Sequence, residues 1–263
     1  MAIRESVGEK GINNKVDVKV IQAALNLAQS ANFNLANRLV VDGKNGSKTI
    51  AAIEVFQKDI VRLNNPDGRI DAGGKTLKTL KKNITTGLNQ DSLIAIMAMG
   101  TDSTVKLYLN LLKTALPKYQ VNSPLRVAHF LAQIGHESMS LVYTQEIASG
   151  AAYEGRKDLG NIKKGDGARF KGRGLLQLTG RDNYEKYGKY IKKDLLKLGN
   201  EQIVATTPKY ALDVSLWFWD SRKLNKYADN DNLKGITRRV NGGYNGLADR
   251  DLYLKRAKFF LIP

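Results

Sequence analysis

The 263-residue chain contains no cysteine, so neither a disulfide framework nor thiolate chemistry is open to it. It has only two histidines, His129 and His136. On a helix these would stand about 10 Å apart along the axis. Two ligands so placed cannot share one ion at bonds of roughly 2 Å. No metal and no cofactor is expected, and a zinc amidase would need more histidine than this. There is no G-x-S-x-G motif to mark a serine hydrolase. No run of eighteen apolar residues occurs, so no transmembrane helix and no stable membrane insertion are expected. The opening M-A-I-R-E-S-V-G-E-K-G has no apolar core and no cleavage-site pattern, so no Sec-type leader is expected.

Negative charge is also scarce. Against 42 Lys and Arg stand 25 Asp and Glu, a net +17. The excess is +6 over residues 1–90 and +11 over residues 91–263, spread along the chain instead of gathered in a tail. Such an imbalance implies a polyanionic partner: nucleic acid, an anionic membrane or the acidic bacterial wall. Aromatic residues are not interleaved with basic runs as a base-stacking platform requires, which argues against nucleic acid.

Residues 4–82 read as a small three-helix unit. V-D-V-K-V-I-Q-A-A-L-N-L-A places Val16, Val20, Ile21, Ala24, Leu25 and Ala28 on one helical face. Asp42-Gly43 and Asn45-Gly46 are turn dipeptides, and Ser47 is a candidate N-cap for a helix carrying Ile50, Ile53, Phe56 and Ile60. A shorter copy of that pattern, N-P-D-G-R-I-D-A-G-G-K-T-L-K-T-L, follows. Residues 83–92, N-I-T-T-G-L-N-Q-D-S, are polar and read as a linker.

Beyond the linker, a helix over S-T-V-K-L-Y-L-N-L-L-K-T-A-L is stopped by Pro117. Pro124 falls in the first turn of the next helix. Further helices are read in Y-G-K-Y-I-K-K-D-L-L, in P-K-Y-A-L-D-V-S-L-W-F-W-D-S-R and in a last segment with a basic outer face. Trp217, Phe218 and Trp219 fit a core better than the edge of a cleft. The expected architecture is mainly α, with domains at 1–85 and 91–263.

The stretch from Arg126 to Thr179 carries the chemistry. R-V-A-H-F-L-A-Q-I-G-H-E-S-M-S-L sets Val127, Phe130, Leu131, Ile134 and Leu141 at helical spacing, with Glu137 on or beside the buried stripe. An unpaired carboxylate there would hold its proton near neutrality, as a general acid must. Glu146 follows in a Gly-punctuated segment that reads as loop or short strand. Two glutamates, one in an apolar and one in an open setting, suit acid–base work. Glu154, eight residues further, is the rival for the base. A long polar segment dense in Gly, Arg and Gln then encloses L-L-Q-L-T, and long ordered loops of this kind tend to be functional.

At these residues a resemblance enters. G-H-E-S, A-S-G-x-x-Y-E-G-R-x-D-L-G-N, F-K-G-R-G-L-L-Q-L-T-G-R-x-N-Y, I-T-R-R-V-N-G-G and A-D-R-D-L-Y-L-K-R together resemble the glycoside hydrolase family 19 domain, and most closely its peptidoglycan-cleaving branch in phage endolysins. The I-Q-x-x-L-N, V-D-G-x-x-G-x-x-T and A-I-x-x-F-Q patterns of the first segment resemble the peptidoglycan-binding domain type 1 family.

The resemblance implies a lysozyme-like, α-rich glycosidase behind a three-helix wall-binding unit, with a small hairpin in R-F-K-G-R-G-L-L-Q-L-T. It implies Glu137 as acid, Glu146 as base and Thr179 as the residue positioning water. His136, Gln177, Asn183, Asn241 and Arg250 would bind substrate or adjoin the acid and base. The nine-residue separation of Glu137 and Glu146 matches the endolysin branch. The implied substrate is bacterial peptidoglycan, cut at the β-1,4 bond between N-acetylmuramic acid and N-acetylglucosamine. Alternatives are a chitinase or glucosaminidase, and a non-catalytic wall-binding protein. A monomer is expected, made in a host cytoplasm and reaching the periplasmic wall after the membrane is permeabilised.

Overall fold

The computed structural model describes residues 1–28, 33, 35 and 37–263. A two-residue antiparallel pair, β1 (Val7–Gly8) and β2 (Arg69–Ile70), brackets α1 (Lys15–Leu27) and α2 (Ser47–Phe56). Four helices follow: α3 (Lys75–Asn83), α4 (Gln90–Ile96), α5 (Asp102–Ala115) and α6 (Pro124–Glu137). The rest comprises α7 (Asp166–Arg169), α8 (Arg181–Tyr190), α9 (Ile203–Thr206), α10 (Pro208–Ser221), α11 (Asn225–Asp229), α12 (Leu233–Asn241) and α13 (Leu247–Leu261). The fold is mainly α, in accord with the sequence.

Local signals account for most helix ends. The Ser123 side chain accepts the Arg126 N–H, and Pro124 opens α6, where a proline sacrifices no backbone bond. Pro117 is the second residue of a short 3-10 turn, Leu116–Tyr119, that follows α5. Ser47 is not a cap: α2 starts at Ser47 itself, after an extended Gly46 that makes no side-chain bond. The helix expected over residues 187–196 lies earlier, at α8. It stops at Tyr190 because the chain turns back through Lys192, at φ +55, and the Lys193 N–H returns to the Gly188 carbonyl. That turn drops Leu195 into a small core with Phe170, Leu178, Tyr184, Tyr187, Val204 and Val214.

The one-faced reading of α1 fails. Every residue from Asp17 to Leu25 is buried, because α2 and α3 cover one side and α4 covers another. The two buried charges on that helix are satisfied by backbone: Lys19 Nζ donates to the Ala98 carbonyl at 2.8 Å, and Asp17 accepts the N–H groups of Arg4 and Glu5. Buried ionic groups are tolerated only when paired or hydrogen-bonded in this way.

Residues 83–92 are docked and do not form a free linker. The Thr85 N–H bonds the Leu27 carbonyl, the Gly87 N–H bonds the Phe260 carbonyl, and Asn89 with Ser92 forms a capping box on α4. The expected boundary thus falls between α3 and α4, while one buried core runs across it from Ile21 through Leu93 and Phe130 to Phe260. Trp219 is fully buried edge-on to Phe130, at 5.4 Å between centroids, and Trp217 packs on Tyr187.

Helix α13 lies along α6. Gly135 makes the approach possible, since a Cβ there would sit 2.5 Å from the Tyr253 ring. The expected basic outer face of α13 is only partial, because Arg250 and Arg256 both point into the protein.

Candidate active site

Helix α6 ends at Glu137, so Leu141 is buried but lies beyond the helix. The chain leaves through three successive left-handed residues, Met139, Ser140 and Leu141, at φ +48, +60 and +69. Such conformations cost about 1–2 kcal/mol each for non-glycine residues, so the surroundings must enforce them. Here Ser138 Oγ accepts the Leu141 N–H, the Ser140 N–H bonds the Gly135 carbonyl, and Ser140 Oγ meets Tyr253 OH at 2.7 Å.

Glu137 does not have the unpaired, apolar setting expected of it. Its Oε1 accepts Nη2 of Arg250 at 2.5 Å, and the two side chains are 17% and 1% exposed. The other guanidinium branch of Arg250 donates to Gln133 Oε1 at 3.1 Å. Gln133 lies four residues before Glu137, on the same helical face. Beside this cluster, His136 Nδ1 bonds Asp249 at 2.7 Å, and that bond outweighs burial, which acts the other way, and holds the Asp249 carboxyl below its usual range. Arg250, His136 and Glu137 are therefore brought together, as the sequence motifs implied.

Glu146 is built differently. Residues 144–146 pair antiparallel with residues 172–174: Gly174 N–H to the Thr144 carbonyl, Glu146 N–H to the Gly172 carbonyl, and a bridge between Gln145 and Arg173. A second bridge, Arg173 to Leu178, closes the expected hairpin. Side chains alternate along such a ladder. Gln145 and Arg173 share one face, where Arg173 Nε donates to Gln145 Oε1 at 3.0 Å and Nη1 donates to Tyr184 OH. Glu146 and Gly172 share the other.

Two donors then hold the Glu146 carboxylate. Tyr153 OH donates to Oε1 at 3.1 Å, and the Gly172 N–H donates to Oε2 at 3.1 Å. A Cβ on Gly172 would lie 2.6 Å from Gln177 Oε1 and 3.2 Å from Glu146 Oε2, so both side chains depend on a glycine there. Burial, and then the charge of Glu146, push the Tyr153 phenol up, which keeps it a donor. Gln177 sits at φ +54 with its Oε1 buried and unpartnered. Thr179 Oγ1 donates to the Gln177 carbonyl at 2.8 Å, and Asn183 Nδ2 to the Thr179 carbonyl at 2.7 Å. The Thr179 hydroxyl keeps its lone pairs free to accept.

Glu154 is otherwise engaged. Its two oxygens accept the N–H groups of Gly165 and Gly167, at 2.7 and 2.8 Å, and so tie down a glycine loop. Asn241 ends α12, exposed, and makes no side-chain bond to either glutamate cluster. Gln133, Tyr153, Gly172 and Arg173 were not foreseen as site residues. The i, i+4 relation of Gln133 to Glu137 was the one legible signal among them.

With this geometry in view, comparison with known proteins is informative. Residues 124–240 match the family described as chitinase class I. That segment is similar to the glycoside hydrolase family 19 domain. It holds His136, Glu137, Glu146, Gln177, Thr179 and Asn183, whereas Asn241 and Arg250 lie past its end. A family 19 domain-containing protein of Haemophilus influenzae is 33% identical over 105 residues, covering 40% of this chain and 49% of its own. An endochitinase of Arabidopsis thaliana is 34% identical over 117 residues, covering 44% and 39%. The chain thus spans half or less of the length of these relatives.

Among solved structures, a bacterial family 19 chitinase matches 66% of this chain and 94% of its own, at TM-score 0.53 and 20% identity. Chitinase C of Streptomyces griseus matches 73% and 80%, at TM-score 0.52 and 20% identity. Identity at that level speaks for the fold of the family 19 domain.

Proposed function

We propose that this protein is an inverting glycosidase of bacterial peptidoglycan, cutting the β-1,4 bond between N-acetylmuramic acid and N-acetylglucosamine. The observation that carries the chemistry is the contrast between its two glutamates. One terminates a helix against a buried guanidinium, and the other rides a short ladder against a phenol and an amide. Glu137 protonates the leaving oxygen. Glu146 takes a proton from water on the opposite face of the sugar, with Thr179 orienting that water. Arg250 positions the acid, while Gln177 and Asn183 bind sugar hydroxyls, which must be satisfied when buried.

Peptidoglycan is favoured as substrate by charge, since a protein of net +17 suits an anionic wall better than a neutral glycan. The N-terminal unit is assigned to wall binding, and a concavity of about 720 Å³ bordered by Gln22, Arg38, Lys44 and Lys48 is a suitable place for it. Such an enzyme belongs with the phage endolysins, working on the periplasmic wall as a monomer once the membrane is breached. Hydrolysis of chitin is the second reading, favoured by the endochitinases among the similar proteins. Incubation with sacculi and with chitin oligosaccharides, followed by mass spectrometry of the new reducing ends, separates them. Muramic acid ends support our reading, glucosamine ends or chitin cleavage support the second, and no fragments from either would leave a binding protein.

A further inference from the structure

A second concavity, of about 550 Å³, opens where the glycine loop 163–168 meets the start of α8. Its walls carry Lys163, Lys164, Arg169, Arg181, Asp166 and Glu201. The two carboxylates are already committed. Asp166, 2% exposed, takes Nε and Nη2 of Arg181 at 2.8 and 2.5 Å, and also the Lys163 N–H. Glu201, 4% exposed at the side chain, receives Arg169 at 3.4 Å and the Gly199 N–H at 3.0 Å. Arg181 holds the Asp166 carboxyl well below the usual range, so this wall stays a fixed, neutral lattice of pairs.

The remaining charge is that of Lys163 and Lys164. Both are exposed, and among the described residues neither makes an ion pair. They leave the wall of the concavity with two positive charges that no ion pair among the described residues compensates. Leu198, 81% exposed, supplies an apolar rim. A small carboxylate carrying an aliphatic group matches that combination.

The position matters as much as the charge. Arg181 is two residues from Thr179, about 7 Å of chain at most. Gly165 and Gly167 are tied to Glu154, whose neighbour Tyr153 holds Glu146. The loop that lines the concavity is therefore linked through Glu154 and Tyr153 to the group assigned to activate water. A glycan that carries a peptide on a nearby sugar would present its free carboxylates there, while unsubstituted chitin presents none.

We propose that this concavity is a subsite for a free carboxylate on a peptide substituent of the glycan, with Lys163 and Lys164 as its cations. The idea rests on the peptidoglycan reading and names what would select for it. Lysine pairs at a solvated rim contribute modestly. Reversing both should therefore change kcat/KM by about five- to tenfold.

The test uses the full chain and two substrates: glycan strands with peptides intact, and the same strands stripped by an amidase. In the double variant Lys163→Glu/Lys164→Glu, cleavage of peptide-bearing strands should fall about five- to tenfold while cleavage of stripped strands stays unchanged. Lys163→Arg/Lys164→Arg should retain the wild-type ratio. Equal loss on both substrates, or no loss on either, overturns the subsite. Titration of the wild type and the Glu variant with a synthetic alanyl-glutamyl tetrapeptide, followed by amide NMR at residues 163–169, decides independently of turnover. Shifts in the wild type that vanish in the variant support the subsite, and their absence in the wild type refutes it. If neither strand is cut yet chitin is, the peptidoglycan reading fails on its own, and the titration still decides the subsite.

Discussion

The two glutamates of this protein are held by opposite strategies. Glu137 belongs to a helix whose neighbour α13 supplies a buried cation, so its position is set by tertiary packing and one strong ion pair. Glu146 belongs to a three-residue ladder, and its position is set by a backbone amide, a phenol and the missing side chain of Gly172. An acid that must deliver a proton along a fixed direction benefits from rigidity. A base that must admit a water benefits from weaker, more numerous contacts, each of which yields a little. The difference between the clusters is therefore a difference in how far each tolerates change.

The largest effect should come from removing the acid. Glu137→Gln keeps the shape and should cost about 10²–10⁴ in kcat, the usual share of a general acid. Glu146→Ala should cost a similar factor but regain activity with azide, a small anion that fits the vacated space. Rescue of a Glu137→Ala variant under the same conditions, with Glu146→Ala unresponsive, would reverse the two roles.

Next comes Arg250→Met, which strands a carboxylate in a mostly buried site. Breaking one partner of such a pair costs about 3–5 kcal/mol, so thermal unfolding should shift well below that of the wild type. The matching change at the other cluster, Tyr153→Phe, removes one hydrogen bond worth about 0.5–1.5 kcal/mol. It should leave the melting temperature nearly unchanged and lower kcat by about three- to tenfold. Comparable stability losses for both variants would erase the contrast. Gly172→Ala should fall between them, lowering kcat by about tenfold as the Gln177 amide and then the Glu146 carboxylate are displaced. Turnover equal to wild type would show that the space is not needed.

The smallest effect is in pH. Burial lowers the affinity of His129 for a proton in the fold. The unfolded chain therefore binds more protons once the pH drops below about 6.5, and stability falls as the pH moves down from there. Asp166 behaves as a depressed carboxyl, whose contribution is lost only as the pH falls through its lowered folded value, beneath the usual 3.8. Between pH 7 and pH 5, the protection factors of α6, taken relative to the intrinsic exchange rate at each pH, should fall while those of the segment 163–181 hold. Faster exchange in the loop first would contradict the assignment of its clamp.

How much of this was legible in the sequence depends on where the determinants lie. Helix α6 could be read from Ser123, Pro124 and the Phe130, Leu131, Ile134 spacing, because those signals are local. The Gly-punctuated segment around Glu146 showed as strand or loop for the same reason. The full burial of α1 was hidden, since Asp17 and Lys19 look like solvent positions until the Arg4 and Glu5 amides and the Ala98 carbonyl meet them. The pattern of α13 alone does not mark Arg250 as inward, because the carboxylate that draws it in lies 113 residues earlier; only the family resemblance set it near the acid and base. Nothing in Met139-Ser140-Leu141 announces three left-handed residues, as that turn is imposed by Gly135 and Tyr253 from elsewhere.

The central claim is a single displacement, with Glu137 donating a proton and Glu146 activating water. It is tested most directly by NMR of the sugar released in the first moments of cleavage of a β-linked glycan. Room for a water between base and anomeric carbon, with carboxyl groups about 6.5–9.5 Å apart in the working complex, requires inversion. The α-anomer should appear first and the β-anomer only later, by mutarotation. Initial release of the β-anomer, or of a 1,6-anhydro product, would contradict it.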